Sequence, residues 1–273
     1  MSIWSRLLGF FVCAYGFTWA CWLTIVAASL GWVRLPVSKE LLATVGQFGP
    51  FVAAVLLTAI ESGYPGLRDL LHRMLRWRVG LLWYGVALLL PPASLLCAIG
   101  IRALAQGQSL VMPQGVSPEV VIHLLINLLI GGALGEEPGW RGYALPRLLA
   151  KSSGMTASVL LALAWAGWHL PLWWIADVPC SFPFYVIGII PLTILFTWLH
   201  RNTNESVLIV MLFHASLNTA LVRLPVRPAF ETWTALLWVV AVLVVIVKAW
   251  SWLGPKRGSE TVTQAPVSPV LEG

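Results

Sequence analysis

Residues 7–33 read LLGFFVCAYGFTWACWLTIVAASLGWV, a run without a single charged side chain. A helix needs roughly 20 residues to cross the hydrocarbon core of a bilayer. The run also exceeds the roughly 7–15 residues of a signal-peptide core, although Ala27-Ala28-Ser29 is similar to a cleavage site. The stretch therefore predicts a retained first membrane span.

The composition of the whole chain agrees with this first run. Of its 273 residues, 59% are hydrophobic and only 10% are charged, whereas a soluble domain carries about 25% charged residues. So few charges cannot cover a water-facing surface, which excludes a soluble globule, and so much apolar sequence excludes intrinsic disorder. The basic residues are scattered between apolar runs, so nucleic acid is not expected as a partner.

Eight apolar runs come close to the length of a membrane span. They cover 7–32, 41–60, 80–101, 118–134, 154–176, 183–199, 205–222 and 232–252. The sequence therefore predicts an all-α, polytopic transmembrane helical bundle of about eight spans. The fourth run is the weakest because it contains His123 and Asn127 and ends in two glycines, so seven spans are the alternative.

The distribution of arginine and lysine predicts the orientation of the bundle. With the N-terminus inside, the inner loops and tails hold twelve basic residues: Arg6, Arg68, Arg73, Arg76, Arg78, Arg141, Arg147, Lys151, Arg201, Lys248, Lys256 and Arg257. The outer side holds five: Arg34, Lys39, Arg102, Arg223 and Arg227. The positive-inside rule then predicts an N-in, C-in protein. Short connections without appended domains favour a prokaryotic plasma (inner) membrane.

Four regions follow from this pattern. Residues 1–134 form N-terminal transmembrane helices, 135–222 a core that carries the polar motifs, 223–253 the last transmembrane helix and 254–273 a disordered cytosolic tail rich in proline and polar residues. Within the first region, residues 61–78 alternate leucines with basic residues, which predicts an amphipathic helix on the inner leaflet. An ordinary positively charged loop is the alternative.

The first polar motif directly follows the fourth run and reads Glu136-Glu137-Pro-Gly-Trp-Arg141. Ionisable side chains inside a span are costly, about 2.5–3.5 kcal/mol on insertion scales, and they usually mark function. On a helix, Arg141 can pair with Glu137 four residues earlier, which leaves Glu136 as an unpaired base. A solvated cluster of inner-loop charges is the alternative.

Two further motifs place histidines inside spans. The fifth run contains Trp165-Ala-Gly-Trp-His169, and the seventh contains His214-Ala-Ser-Leu-Asn218. His214 and Asn218 lie one helical turn apart on the same face, so both can point into one cavity. A histidine that only packs and hydrogen bonds that only join helices are the respective alternatives.

Taken together in this order, the three motifs resemble the CPBP family of intramembrane proteases, the CAAX-processing and bacteriocin-processing type also called Abi. The family pattern is Glu-Glu-x-x-x-Arg, an aromatic residue three positions before a histidine, and His-x-x-x-Asn. The match covers about residues 135–220, and Trp165 stands where the family more often has Phe.

The resemblance implies a CAAX-type intramembrane endopeptidase that cuts a membrane-embedded or lipidated peptide, prenylated or not. Glu136 and His169 would activate a water, and His214 and Asn218 would stabilise the oxyanion. Glu137, Arg141 and Trp165 would support the site.

A metal-independent mechanism is favoured. If a metal is bound, zinc held by Glu136, His169 and His214 is the candidate. A non-proteolytic membrane scaffold or immunity protein and a proton-coupled transporter are the alternative functions, although the paired repeats typical of transporters are not evident.

Overall fold

The computed structural model describes residues 2–109 and 118–252, and every regular element in these two ranges is helical. The predicted disordered tail, 254–273, lies outside the described residues. The division of the chain into four regions stays a prediction.

Twelve α-helices follow one another along the described chain. They are α1 (Ile3–Ser29), α2 (Lys39–Gln47), α3 (Gly49–Met74), α4 (Leu81–Ala105), α5 (Pro118–Leu129), α6 (Gly132–Gly139), α7 (Leu145–Leu149), α8 (Gly154–Trp168), α9 (Leu172–Ile175), α10 (Phe182–Asn202), α11 (Val207–Arg223) and α12 (Phe230–Trp252). A π-helical turn, Trp140–Ala144, joins α6 to α7, and a 3-10 turn, Arg227–Ala229, precedes α12.

Seven helical segments of the described chain are long and apolar enough to cross a membrane, which confirms the predicted polytopic bundle. The fourth apolar run is one of them, as part of Pro118–Leu149. The apolar helix that falls short of the usual span length is not the fourth run but α11, with 17 residues. It packs against α4, α5, α6 and α10, so most of its surface faces other helices. The N-in, C-in orientation stays a prediction.

Side chains that face away from the bundle are mainly large and apolar. On α12, Val242, Leu243, Ile246 and Val247 are exposed, and long helices elsewhere show the same pattern. In water such a surface would drive association, whereas the hydrocarbon of a bilayer solvates it. The exposed apolar belt is therefore the surface that a multi-pass membrane protein needs.

The segment predicted to be an amphipathic helix continues α3. The helix bends at Gly63, whose φ of 57° is a left-handed conformation that favours glycine, and then runs on to Met74. Leu71 is exposed and Leu70 is buried. Glu61, at the start of the segment, has a side chain that is only 5% exposed, so this carboxylate belongs to the interior of the bundle.

Hydrogen bonds from tryptophan side chains fix the first helix to the bundle. The indole Nε1 of Trp168 in α8 donates to Thr18 Oγ1 at 2.8 Å, and Thr18 donates to the carbonyl oxygen of Gly46 at 2.7 Å. Trp19 Nε1 donates to the carbonyl oxygen of Trp168 at 3.0 Å. Because α1 satisfies these buried polar groups, it forms an integral part of the fold.

Candidate active site

The Glu-Glu-x-x-x-Arg motif lies inside the bundle. Glu136 and Glu137 belong to α6, Arg141 belongs to the π-helical turn, and the three residues are 4%, 0% and 0% exposed. The alternative, a solvated cluster of inner-loop charges, is wrong because all three side chains are buried. The whole motif lies within the helical segment Pro118–Leu149. Arg141 and Glu137 form an ion pair there, and this pairing offsets part of the free-energy cost of burying the two charges.

Glu137 organises the support of the site. Its Oε1 accepts a hydrogen bond from Arg141 Nη1 at 3.0 Å and pairs with His214 Nδ1 at 2.6 Å. The guanidinium of Arg141 lies between two aromatic rings, 4.3 Å from the centroid of Trp165 and 4.2 Å from that of Phe196. Cation–π contacts of this kind help to stabilise a desolvated cation.

Trp165 connects all three motifs. Its indole Nε1 donates to Glu136 Oε2 at 2.6 Å, and its ring centroid lies 5.6 Å from that of His169 and 5.7 Å from that of His214. Phenylalanine, the more common family residue here, has no N–H group. The tryptophan therefore adds a charge-assisted hydrogen bond that holds Glu136 in place.

His169 forms the C-cap of α8, where the helix ends against the cavity. Its Nδ1 lies 2.8 Å from the carbonyl oxygen of Trp165. A carbonyl can only accept, so Nδ1 carries a proton in this hydrogen bond, and in a neutral ring Nε2 is then the basic nitrogen. The sequence places this nitrogen in the site, and the hydrogen bond selects the tautomer.

Three polar atoms converge beside Gly132. A Cβ atom added to this glycine would lie 2.5 Å from Glu136 Oε1, 3.4 Å from His214 Nε2 and 3.5 Å from Asn218 Nδ2. The absence of a side chain at Gly132 thus leaves a space that a carboxylate, an imidazole and an amide all border. A water molecule or a carbonyl oxygen in the cavity in front of Gly132 faces these three groups.

This space opens into a cavity of about 390 Å³. Besides the polar groups, apolar and aromatic side chains from several helices line it, among them Trp22, Leu172, Tyr185, Leu221 and Trp233. Trp22 and Leu221 lie near the ends of α1 and α11, and Leu172, Tyr185 and Trp233 lie at or near the beginnings of α9, α10 and α12. The cavity is therefore displaced towards the end of the bundle that is opposite the N-terminus of α1.

A second buried ion-pair network anchors the motif helix at its far end. Glu61 accepts from the Tyr143 hydroxyl at 2.6 Å and from Arg147 Nη2 at 2.8 Å. The guanidinium of Arg147 lies 3.5 Å from the centre of the Tyr143 ring, and Arg6 of α1 lies 3.8 Å from Glu61. The network joins α1 and α3 to the segment that carries Glu136.

The structure brings all seven predicted site residues to one place, and it adds residues that the sequence did not single out. Gly132 has no side chain at the point where the polar groups meet, and the Phe196 ring packs against the Arg141 guanidinium. The ring of Tyr185 lies 5.7 Å from that of His169, centroid to centroid. An aromatic residue in an apolar span gives no sequence signal of its own. Gly132 does carry a sequence signal, the double glycine that weakens the fourth run, but that signal does not indicate a role in the site.

The fold and this site define a multi-pass helical membrane protein with a buried glutamate–histidine site that opens into an apolar cavity. The sequence model described as "Type II CAAX prenyl endopeptidase Rce1-like" matches residues 117–220, which contain all three motifs. "CAAX prenyl protease 2" of Methanococcus maripaludis is 27% identical over 189 residues, with coverage of 63% of this chain and 68% of the relative.

These two matches confirm the resemblance to the CPBP family that the three motifs predict. The homology supports an intramembrane endopeptidase.

Proposed function

We propose that this protein is a CAAX-type intramembrane endopeptidase in which Glu136 activates the hydrolytic water. The convergence of Glu136 Oε1, His214 Nε2 and Asn218 Nδ2 beside Gly132 carries the proposal. One group can accept a proton there and the other two can donate hydrogen bonds. Peptide hydrolysis by an activated water requires that combination.

The roles follow from the hydrogen bonds. Glu136 Oε1 removes a proton from the water, whose oxygen attacks the carbonyl carbon of the scissile bond. His169 Nε2, a lone-pair nitrogen in the neutral ring, accepts the second hydrogen of that water and orients it. The proton on Glu136 then passes to the amide nitrogen, and the carbon–nitrogen bond breaks to give a carboxylic acid and an amine. The acid then transfers its proton to the amine, so the products leave as a carboxylate and an ammonium group.

The developing oxyanion faces His214 and Asn218. Because His214 Nδ1 is bound to Glu137, His214 donates from Nε2 only when the ring carries both protons. The hydrogen bond to Glu137 fixes the ring so that Nε2 points into the cavity side of the site. Fixed donors of this type do not reorganise when charge develops, and the loss of a single donor typically costs about 10²–10³ in rate.

The donor set gives no support to the zinc alternative. Among residues 2–109 and 118–252, no three His, Cys, Asp or Glu side chains lie close enough to one another to hold a metal ion. Glu136, His169 and His214 border the cavity but do not form such a group. The mechanism that we propose uses only protein side chains and water.

The cavity suits a membrane-associated peptide with an apolar or lipidated segment. The name of the Methanococcus relative indicates a prenylated substrate, and an apolar cavity of about 390 Å³ has room for part of a prenyl chain or for apolar side chains. We propose such a peptide as the substrate class, with the surrounding bilayer as the second partner.

The orientation of the bundle determines which peptides can reach the site. The N-in, C-in prediction puts the cavity end on the outer side of a prokaryotic plasma membrane, where exported peptides meet it. The inverse orientation would serve cytosolic prenylated proteins. Reporter fusions at the C-terminus, read for cytoplasmic or external activity in intact cells, separate the two: the positive-inside count predicts cytoplasmic activity.

The test of the function is cleavage of a fluorogenic, prenylated CAAX-type peptide and of its unprenylated counterpart by the purified protein in detergent, with and without a chelator. Cleavage at one bond that survives chelation supports the proposal. Cleavage that is lost on chelation and restored by zinc would contradict the metal-free mechanism. Failure to cut either peptide would favour a non-proteolytic scaffold or immunity protein.

A further inference from the structure

A second cavity, of about 410 Å³, lies beside the catalytic one. It is lined by the end of α4, the loop before α10 and the turn before α12, with Arg102, Ser181, Arg227 and Glu231 among its polar residues. Two cations and one carboxylate give this lining a net positive charge. None of these residues belongs to the three family motifs.

The two arginines have charge available for a ligand. In the described part of the chain, Arg102 forms no ion pair, and its Nε is buried without a hydrogen-bond partner. Arg227 pairs with Asp177 at 2.6 Å, but the Asp177 side chain is 85% exposed, so water screens that pair and it contributes little. Arginine prefers planar anions that can accept two parallel hydrogen bonds, such as a carboxylate.

Phe230 lines both cavities, so the arginine-lined cavity adjoins the catalytic one at this residue. A peptide that runs from one cavity to the other along Phe230 places the residues after its scissile bond beside the arginines. In a CAAX-type sequence, three residues follow the modified cysteine before the terminal carboxylate. Extended, they span about 10 Å.

We propose that Arg102 and Arg227 bind the terminal carboxylate of the substrate, so that the protein selects free C-termini. This inference rests on the proposed function, and it identifies the terminal carboxylate as the feature of the peptide that the second cavity binds. The phosphate of an anionic lipid has related chemistry, but the wall shared with the catalytic cavity favours a group attached to the peptide being cut.

The test compares two fluorogenic peptides that differ only at the end, a free carboxylate against a carboxamide. The wild-type protein should cut the carboxylate form with a kcat/KM roughly tenfold higher or more, as expected for a charge-assisted hydrogen bond. In Arg102→Gln and Arg227→Gln the ratio of the two kcat/KM values should fall towards one, and Arg102→Lys should retain part of the preference. Because each ratio is internal to one protein sample, differences in folded fraction cancel.

Arg223→Gln is the matched control. Arg223 ends α11, pairs with the exposed Glu119 at 2.9 Å and borders neither cavity, so its substitution should keep the wild-type ratio. Equal cleavage of both peptides by the wild-type protein would overturn the proposal. So would arginine variants whose activity changes only with the phosphatidylglycerol content of liposomes, since the site would then bind lipid. No cleavage of either peptide would overturn the proposed function, and this inference with it.

Discussion

Replacing Gly132 with alanine tests the geometry of the site without removing any of its functional groups. The added Cβ would lie 2.5 Å from Glu136 Oε1, and Cβ contacts shorter than 3.0 Å are essentially never seen. The carboxylate oxygen must therefore move by about 0.5 Å to escape the clash, and by about 0.9 Å to reach an ordinary contact of 3.4 Å. The new methyl group also projects from the cavity wall towards the place that we propose for the water.

A displacement of about 1 Å in a catalytic group can cost about 10²-fold in rate. We therefore expect Gly132→Ala to lower kcat/KM by about two orders of magnitude. The assay is hydrolysis of the fluorogenic prenylated peptide in detergent, together with the thermal unfolding midpoint. Gly85→Ala in α4 is the control, because a Cβ there meets nothing within 4 Å. Wild-type kcat/KM in a folded Gly132→Ala protein would refute the proposed position of the water.

Three further predictions concern the neighbours of the base. Trp165→Phe removes the indole hydrogen bond to Glu136 and should lower kcat by roughly tenfold or more; an unchanged pH–rate profile and kcat would contradict this role. Arg141→Met leaves Glu137 buried without its cation and should destabilise the protein by about 3–5 kcal/mol, measured by unfolding in micelles; Arg223→Met, at an exposed pair, should cost under about 1 kcal/mol. Dialysis against a chelator should leave the cleavage rate unchanged, and a rate that returns only with zinc would contradict the metal-free mechanism.

Much of the fold could be predicted from the sequence, because the bilayer imposes a strong and simple requirement on every span. Apolar length alone located the membrane helices. It does not explain why one of these helices is shorter than a usual span. Helix α11 can be as short as 17 residues because α4, α5, α6 and α10 surround it, and no count of apolar residues contains that information.

The candidate site could be predicted as a set of residues but not as an arrangement. Ionisable groups within apolar runs, or directly after one, pointed to Glu136, His169 and His214. The burial of Arg141 could not be foreseen, because it depends on Phe196, a distant residue whose ring stacks on the guanidinium. The open space at Gly132 depends on how α6 approaches α11, which is a matter of packing.

The central claim is that Glu136 is the base that activates water, and the most direct measurement is the activity of Glu136→Gln beside its substrate affinity. Glutamine keeps the shape and can accept the Trp165 hydrogen bond, but it cannot take a proton. The control is Glu119→Gln, a surface carboxylate whose side chain is 65% exposed. The account predicts a loss of about 10²–10⁴ in kcat with little change in peptide affinity, and unchanged activity in the control. Cleavage by Glu136→Gln at the wild-type rate would contradict it.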